Sequence, residues 1–216
     1  MKTVTLFLLC MFISIQSGVF EDLQPGHWAA VSLNTIMDMD PADDPSLNPN
    51  YPNEPPWGLI ERLDGMINNW VGGAFATGYG SKGGLIVFGG GHNAYAGGEL
   101  YIFNLGTRLW DRVGETGNHP CVNDSYGEYC DGVPCALHTY DYVEYHPTTN
   151  SFVSIGSAAN PVCGGCRAPY SHLFNLDTKT WKRGVRQPSS YIGYTGASSA
   201  YISMPFLIST RSTICL

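Results

Sequence analysis

Apolar residues in this chain come in short runs, four to six long, closed by glycine or by polar turn residues. Leu85-Ile86-Val87-Phe88 stops at Gly89-Gly90. Further along, Tyr142 to Tyr145 is followed by His146-Pro147-Thr148-Thr149-Asn150, and the chain resumes with Phe152 to Ile155. Ser171 to Leu176 gives way to Asp177-Thr178-Lys179 and then to Thr180 to Arg183. Runs of this length, bounded by Gly, Pro and Asn, predict strands joined by tight turns, because Pro presets φ and Asn tolerates the left-handed region. No window sustains a 3.6-residue period, so little helix is expected.

The strands repeat. Phe103-Asn-Leu-Gly-Thr-Arg-Leu-Trp110 returns 71 residues later as Phe174-Asn-Leu-Asp-Thr-Lys-Thr-Trp181. Upstream, Ala74 to Phe88 aligns without gaps on Asp141 to Ile155 at an offset of 67. Each copy reads as strand, turn, strand, loop, strand, turn, strand. Repeated four-stranded units are the pattern of propeller blades, so the fold class expected is all-β.

The residues resemble kelch repeats. Gly89-Gly90 closes an apolar strand as that family's double glycine does, and Phe103 with Trp110, then Phe174 with Trp181, match its aromatic and tryptophan pair. The second copy departs, with Gly156-Ser157 at the double-glycine position. Gly89 to Tyr95 and His138-Thr139-Tyr140-Asp141 resemble secreted kelch proteins of the galactose-oxidase-like group. The resemblance covers about residues 70 to 183. It implies kelch-type β-propeller blades at 70–115 and 138–184, joined by a cysteine-containing loop at 116–137, with 185–216 as the start of a third blade or a truncated tail. Propellers use about 4 to 8 blades. An incomplete propeller is therefore expected, truncated or completed by assembly with further blades.

The start of the chain changes the picture of location. Lys2 precedes an apolar run from Val4 to Ile15, followed by Gln16, Ser17 and Gly18. This is the form of a secretory signal peptide, assigned to 1–20, and the run is too short for the roughly 20 residues of a bilayer span. A secreted chain with no membrane association after cleavage is expected. Residues 21–69 hold a Pro-rich loop, with six prolines between Pro41 and Pro56. The net charge of −7 argues against nucleic acid, because phosphate binding needs clustered Lys and Arg.

Secretion also sets how the cysteines are read. With Cys10 removed, Cys121, Cys130, Cys135, Cys163, Cys166 and Cys215 remain as disulfide candidates, and six allow 15 pairings. Cys163-Gly-Gly-Cys166 with Cys130 and Cys135 has the outline of a zinc set, but an oxidising compartment favours bridges. No metal is expected. Asn123-Asp124-Ser125 is a glycosylation acceptor in a connection expected to be exposed.

Strand alternation places the loop after Gly89-Gly90, the 163–166 loop and the 114–137 connection on one face. His92, Asn93, Tyr95, His138 and Tyr140 are the ligand-binding candidates there. His146, in a turn, and His172, on a strand, read as structural. No catalytic set is apparent, so the function expected is a non-catalytic extracellular module binding protein or carbohydrate, without a cofactor. The alternative implied by the resemblance is a fragment of a copper-dependent carbohydrate oxidase. For that chemistry only Tyr145-His146 imitates an adjacent Tyr-His ligand pair, and its position in a turn explains both residues.

Overall fold

A computed structural model describes residues 22, 24–43, 63–68, 71–90, 95, 97–114, 117, 122–123, 126–136, 139, 142–155 and 170–186. The signal peptide assigned to 1–20 and the tail at 187–216 lie outside them. The chain divides at Val31/Ser32. In the first unit, the described residues hold a turn in which the His27 N–H reaches the Gln24 carbonyl at 3.1 Å, with Trp28 fully exposed. Among the described residues no helix is long and apolar enough to cross a membrane.

The second unit is all-β, built on two four-stranded antiparallel sheets. Sheet 1 comprises β1 (Val71–Ala76), β2 (Gly84–Gly89), β3 (Leu100–Asn104) and β4 (Leu109–Val113), in sequence order. β1 shows why: Gly72, Ala74 and Ala76 turn inward while Gly73 and Phe75 face out, the period-2 alternation of a strand with one buried face. β3 is buried on both faces from Leu100 to Phe103, as suits a strand covered from two sides.

Sheet 2 follows β5 (Val122–Asn123) and β6 (Glu128–Tyr129), which pair as a small hairpin. It contains β7 (Val143–His146), β8 (Ser151–Ile155), β9 (Tyr170–Asn175) and β10 (Thr180–Arg186), again in sequence order. The two sheets repeat each other register for register. Leu85 pairs with Phe103 and Phe103 with Trp110; Phe152 pairs with Phe174 and Phe174 with Trp181.

The turns repeat as well. Asn104 Oδ1 accepts from the N–H groups of Gly106 and Thr107, and Asn175 Oδ1 from those of Asp177 and Thr178. Gly83 and Asn150 are equivalent residues at positive φ, and so are Arg108 and Lys179. The carbonyls of Gly83 and Asn150 accept from Leu105 and Leu176 respectively.

The gapless upstream alignment needs one correction. Ala76 pairs with Gly84 and His146 with Ser151, so β2 and β8 stand 67 residues apart but β1 and β7 stand 70 apart. The reason is the turn: 77–83 links β1 to β2, whereas the 3-10 turn Pro147–Thr149 and Asn150 suffice between β7 and β8. A register chosen by sequence likeness in the short first strand therefore slips, and the ladder restores it.

One core lies between the sheets, where β1 contacts β7. Ala74, Ile86, Phe88, Leu100 and Ile102 meet Val143, Tyr145, Phe152 and Phe174 there, with Trp181 packed against them. A second core on the other face of sheet 1 gathers Leu63, Met66, Tyr95 and Tyr101, with Trp110 and residues of the 3-10 turn Ile36–Met39. Leu63 and Met66 belong to the short helix α1 (Leu63–Asn68). Each tryptophan thus faces what precedes its own sheet: Trp181 faces sheet 1, and Trp110 faces the core that holds α1 and the 3-10 turn Ile36–Met39.

Side chains bridge the sheets. The Thr139 hydroxyl accepts from Gly72 N–H and donates to the Phe88 carbonyl, each at 2.6 Å. Gly78 N–H donates to the Tyr145 hydroxyl at 3.2 Å, and Trp181 Nε1 donates to the Gly98 carbonyl at 3.1 Å.

Candidate functional site

Of the residues expected to bind a ligand, His92, Asn93, His138 and Tyr140 lie outside the described residues. Tyr95 is described, and the structure buries it completely. Its hydroxyl donates to Glu99 Oε1 and lies 3.2 Å from the hydroxyl of Tyr101, which donates to the same oxygen at 2.6 Å. This position is core, so Tyr95 is not a surface contact: a ring one turn of loop beyond a double glycine can fold back under the sheet as readily as reach out. Burial pushes the carboxyl of Glu99 up, opposed by these hydrogen bonds and by the nearby charge of Arg112. Burial likewise pushes both phenols well above their ordinary value, with the Glu99 charge adding to it. Glu99 Oε2 is buried, with no hydrogen-bond partner among the described residues.

The cysteine-containing connection also differs from expectation. It is not a bare exposed loop, because Gly127, Glu128, Tyr129 and Val133 to Ala136 are buried. A tight turn returns the chain: Gly132 N–H donates to the Tyr129 carbonyl, Tyr129 N–H to the Val133 carbonyl, and Val133 N–H to Asp131 Oδ1. Cys135 is buried, and among the described residues no bridge joins it to another cysteine. Cys130 is disulfide-bonded. Cys121, Cys163, Cys166 and Cys215 lie outside the described residues. Asn123 forms β5, its backbone paired with Glu128.

The connection is held on sheet 2 by Glu128. His172 on β9 and Arg183 on β10 are direct cross-strand partners, and both reach this carboxylate. His172 Nε2 lies 2.9 Å from Glu128 Oε1, Arg183 Nε donates to the same oxygen at 2.7 Å, and the second guanidinium nitrogen donates to Oε2. The Arg183 guanidinium is 3.4 Å above the ring of Tyr126 and 5.6 Å from that of Tyr170, a cation–π arrangement. Burial alone would raise the Glu128 carboxyl. The hydrogen bonds from Arg183 and His172, with their charges, outweigh it and bring the pKa down to about 2.

Beside this cluster is a cavity of about 360 Å³. Trp181, Arg183, Lys179 and Thr180 line it from β10 and the preceding turn, and Asp131 and Val133 line it from the connection. The carboxylate at Glu128 is pinned in its charged form, Arg183 is committed to it, and His172 is buried. An aromatic wall, an ammonium and a carboxylate at Asp131 remain available to orient a ligand. Among the described residues no group of three or more His, Cys, Asp and Glu side chains could hold a metal ion.

His146 and Tyr145 have turn roles. His146 Nδ1 accepts from Thr149 N–H and lies 2.9 Å from the Thr149 hydroxyl, while the Tyr145 hydroxyl donates to Asn150 Oδ1 at 2.8 Å. Sequence reasoning missed Glu99, Glu128 and Arg183. A signal existed for the last: Trp-x-Arg occurs at 110–112 and again at 181–183.

No protein-family model and no curated protein sequence matches this chain.

Proposed function

We propose that the chain is a secreted, non-catalytic binding module whose two sheets are consecutive blades of a kelch-type β-propeller, with the cavity beside Trp181 and Glu128 as a ligand contact. The observation that supports this reading is the register-for-register repetition of the sheets, each with its tryptophan turned toward the preceding element. Propeller blades stack in this manner, and loops held on rigid blades present ligand sites. The ligand class in this reading is an extracellular protein or carbohydrate. Disulfides among Cys121, Cys130, Cys163, Cys166 and Cys215 would staple the loop face, and a glycan at Asn123 would sit on the same connection.

The test is to secrete the full chain from a eukaryotic host and screen it on arrays of glycans and of extracellular proteins. Saturable binding to one ligand class, weakened when Lys179 and Asp131 are changed to alanine, is expected. Binding to neither array would overturn the reading.

A further inference from the structure

The open edges of the two sheets are treated differently. At β4, the segment Ser32-Leu33-Asn34 covers the edge: Leu33 N–H donates to the Arg108 carbonyl at 2.8 Å. The Asn34 side chain then clamps Trp110, accepting from its N–H at 2.7 Å and donating to its carbonyl at 3.1 Å. These bonds show that the N–H and C=O of Trp110 point away from the sheet, as one residue in two does along an edge strand.

Trp181 occupies the same register in sheet 2, opposite Phe174 as Trp110 is opposite Phe103. It follows the same Asn-initiated turn and the same left-handed residue, Lys179 for Arg108. The N–H and C=O of Trp181 and the carbonyl of Lys179 therefore point outward too. Among the described residues nothing there takes the place of Leu33 and Asn34. The 360 Å³ cavity lies against this stretch, lined by Lys179, Thr180 and Trp181.

We infer that the edge of β10 at Lys179–Trp181 docks an extended segment of another polypeptide that presents an asparagine, its amide clamping the Trp181 backbone as Asn34 clamps that of Trp110 while the preceding residue donates its N–H to the Lys179 carbonyl. Main-chain hydrogen bonds to an exposed edge supply affinity in such strand additions, and side-chain pockets supply selectivity. The inference rests on the binding-module reading and narrows its ligand to a peptide strand.

The experiment titrates the peptide Ser-Leu-Asn-Thr-Ile, the sequence of residues 32–36, into the full isotope-labelled chain and follows backbone amides by NMR. Saturable shifts at Lys179–Trp181 and slowed hydrogen exchange of the Trp181 amide are expected. Aspartate in place of the peptide's asparagine should weaken binding at least tenfold, because a carboxylate has no N–H for the Trp181 carbonyl. That substitution leaves the protein's own folding untouched. No binding, binding that bypasses the Trp181 amide, or equal binding of the aspartate peptide would each overturn the inference. A glycan or protein captured on the arrays while the peptide fails would leave the binding-module reading standing.

Discussion

His172 and Arg183 stand opposite each other on β9 and β10 and close on one carboxylate, Glu128, which belongs to a different part of the chain. The arrangement fastens the 126–136 connection to sheet 2 through a buried acceptor, so its loss should loosen that connection rather than remove an exposed ion pair. Replacing Glu128 by Gln is expected to cost about 2–4 kcal/mol, less than a wholly buried pair because Arg183 is partly exposed. Urea unfolding of the variant at neutral pH checks this, and an unchanged midpoint would mean the cluster contributes nothing net.

The same carboxylate gives an acid limit. Its folded pKa of about 2 lies below the ordinary 4.5. The stabilisation is therefore fully present above that ordinary value and is lost as pH falls from about 4.5 through 2. Wild-type stability should decline over this window more steeply than that of Glu128→Gln. Parallel curves for the two proteins between pH 2 and 5 would contradict the assignment.

The two tryptophans should not be equally costly to remove. Trp181 meets the rings of Phe88, Phe152, Phe174 and His172, and its indole N–H is bonded to the Gly98 carbonyl. Trp110 has Phe103 at 5.4 Å and the side of the second core. Trp181→Ala is expected to cost about 3–5 kcal/mol, and Trp110→Ala about 3 kcal/mol. Thermal melts would show it, and a smaller loss at Trp181 would mean the inter-sheet core does not hold the fold.

These tryptophans also mark what was legible in the sequence. Identical spacing of Phe103 with Trp110 and Phe174 with Trp181 placed four strands correctly, because a cross-strand aromatic pair on a two-sided sheet leaves a local signature. The turns were legible for the same reason, since Asn104 and Asn175 each use Oδ1 to accept from N–H groups two and three residues further on. Contacts far apart in sequence left no such trace. Glu128 finds His172 and Arg183 across 44 and 55 residues, and Tyr95 looks like a loop aromatic until its partner Glu99 is seen to be buried with it. The slipped register at β1 has a similar origin: three extra residues in a turn are invisible when both alignments read apolar.

Gly89 and Gly90 both have positive φ, at 107° and 90°, where side chains are strained. A Cβ at Gly90 would also stand 2.5 Å from the Cα of Met66 in α1. The double glycine thus lets β2 end against helix backbone. Gly90→Ala should cost about 2–4 kcal/mol from strain and overpacking together, and would be read as a lowered melting temperature. An unaffected melt would mean α1 does not pack there.

Glu99 sets a limit of the opposite sign. Burial raises its folded pKa above the ordinary 4.5, so the carboxyl holds its proton more tightly folded than unfolded. Its contribution is fully present below that ordinary value and is lost as pH rises toward the folded pKa. Tyr95 and Tyr101, both pushed upward, stay protonated and keep donating throughout. Wild type should therefore lose stability as pH rises above 4.5 relative to Glu99→Gln, which has no proton to release. Chemical unfolding of both proteins across that range decides the matter. If the gap between them stays constant, Glu99 is not titrating with folding and its orphaned oxygen is satisfied in solution.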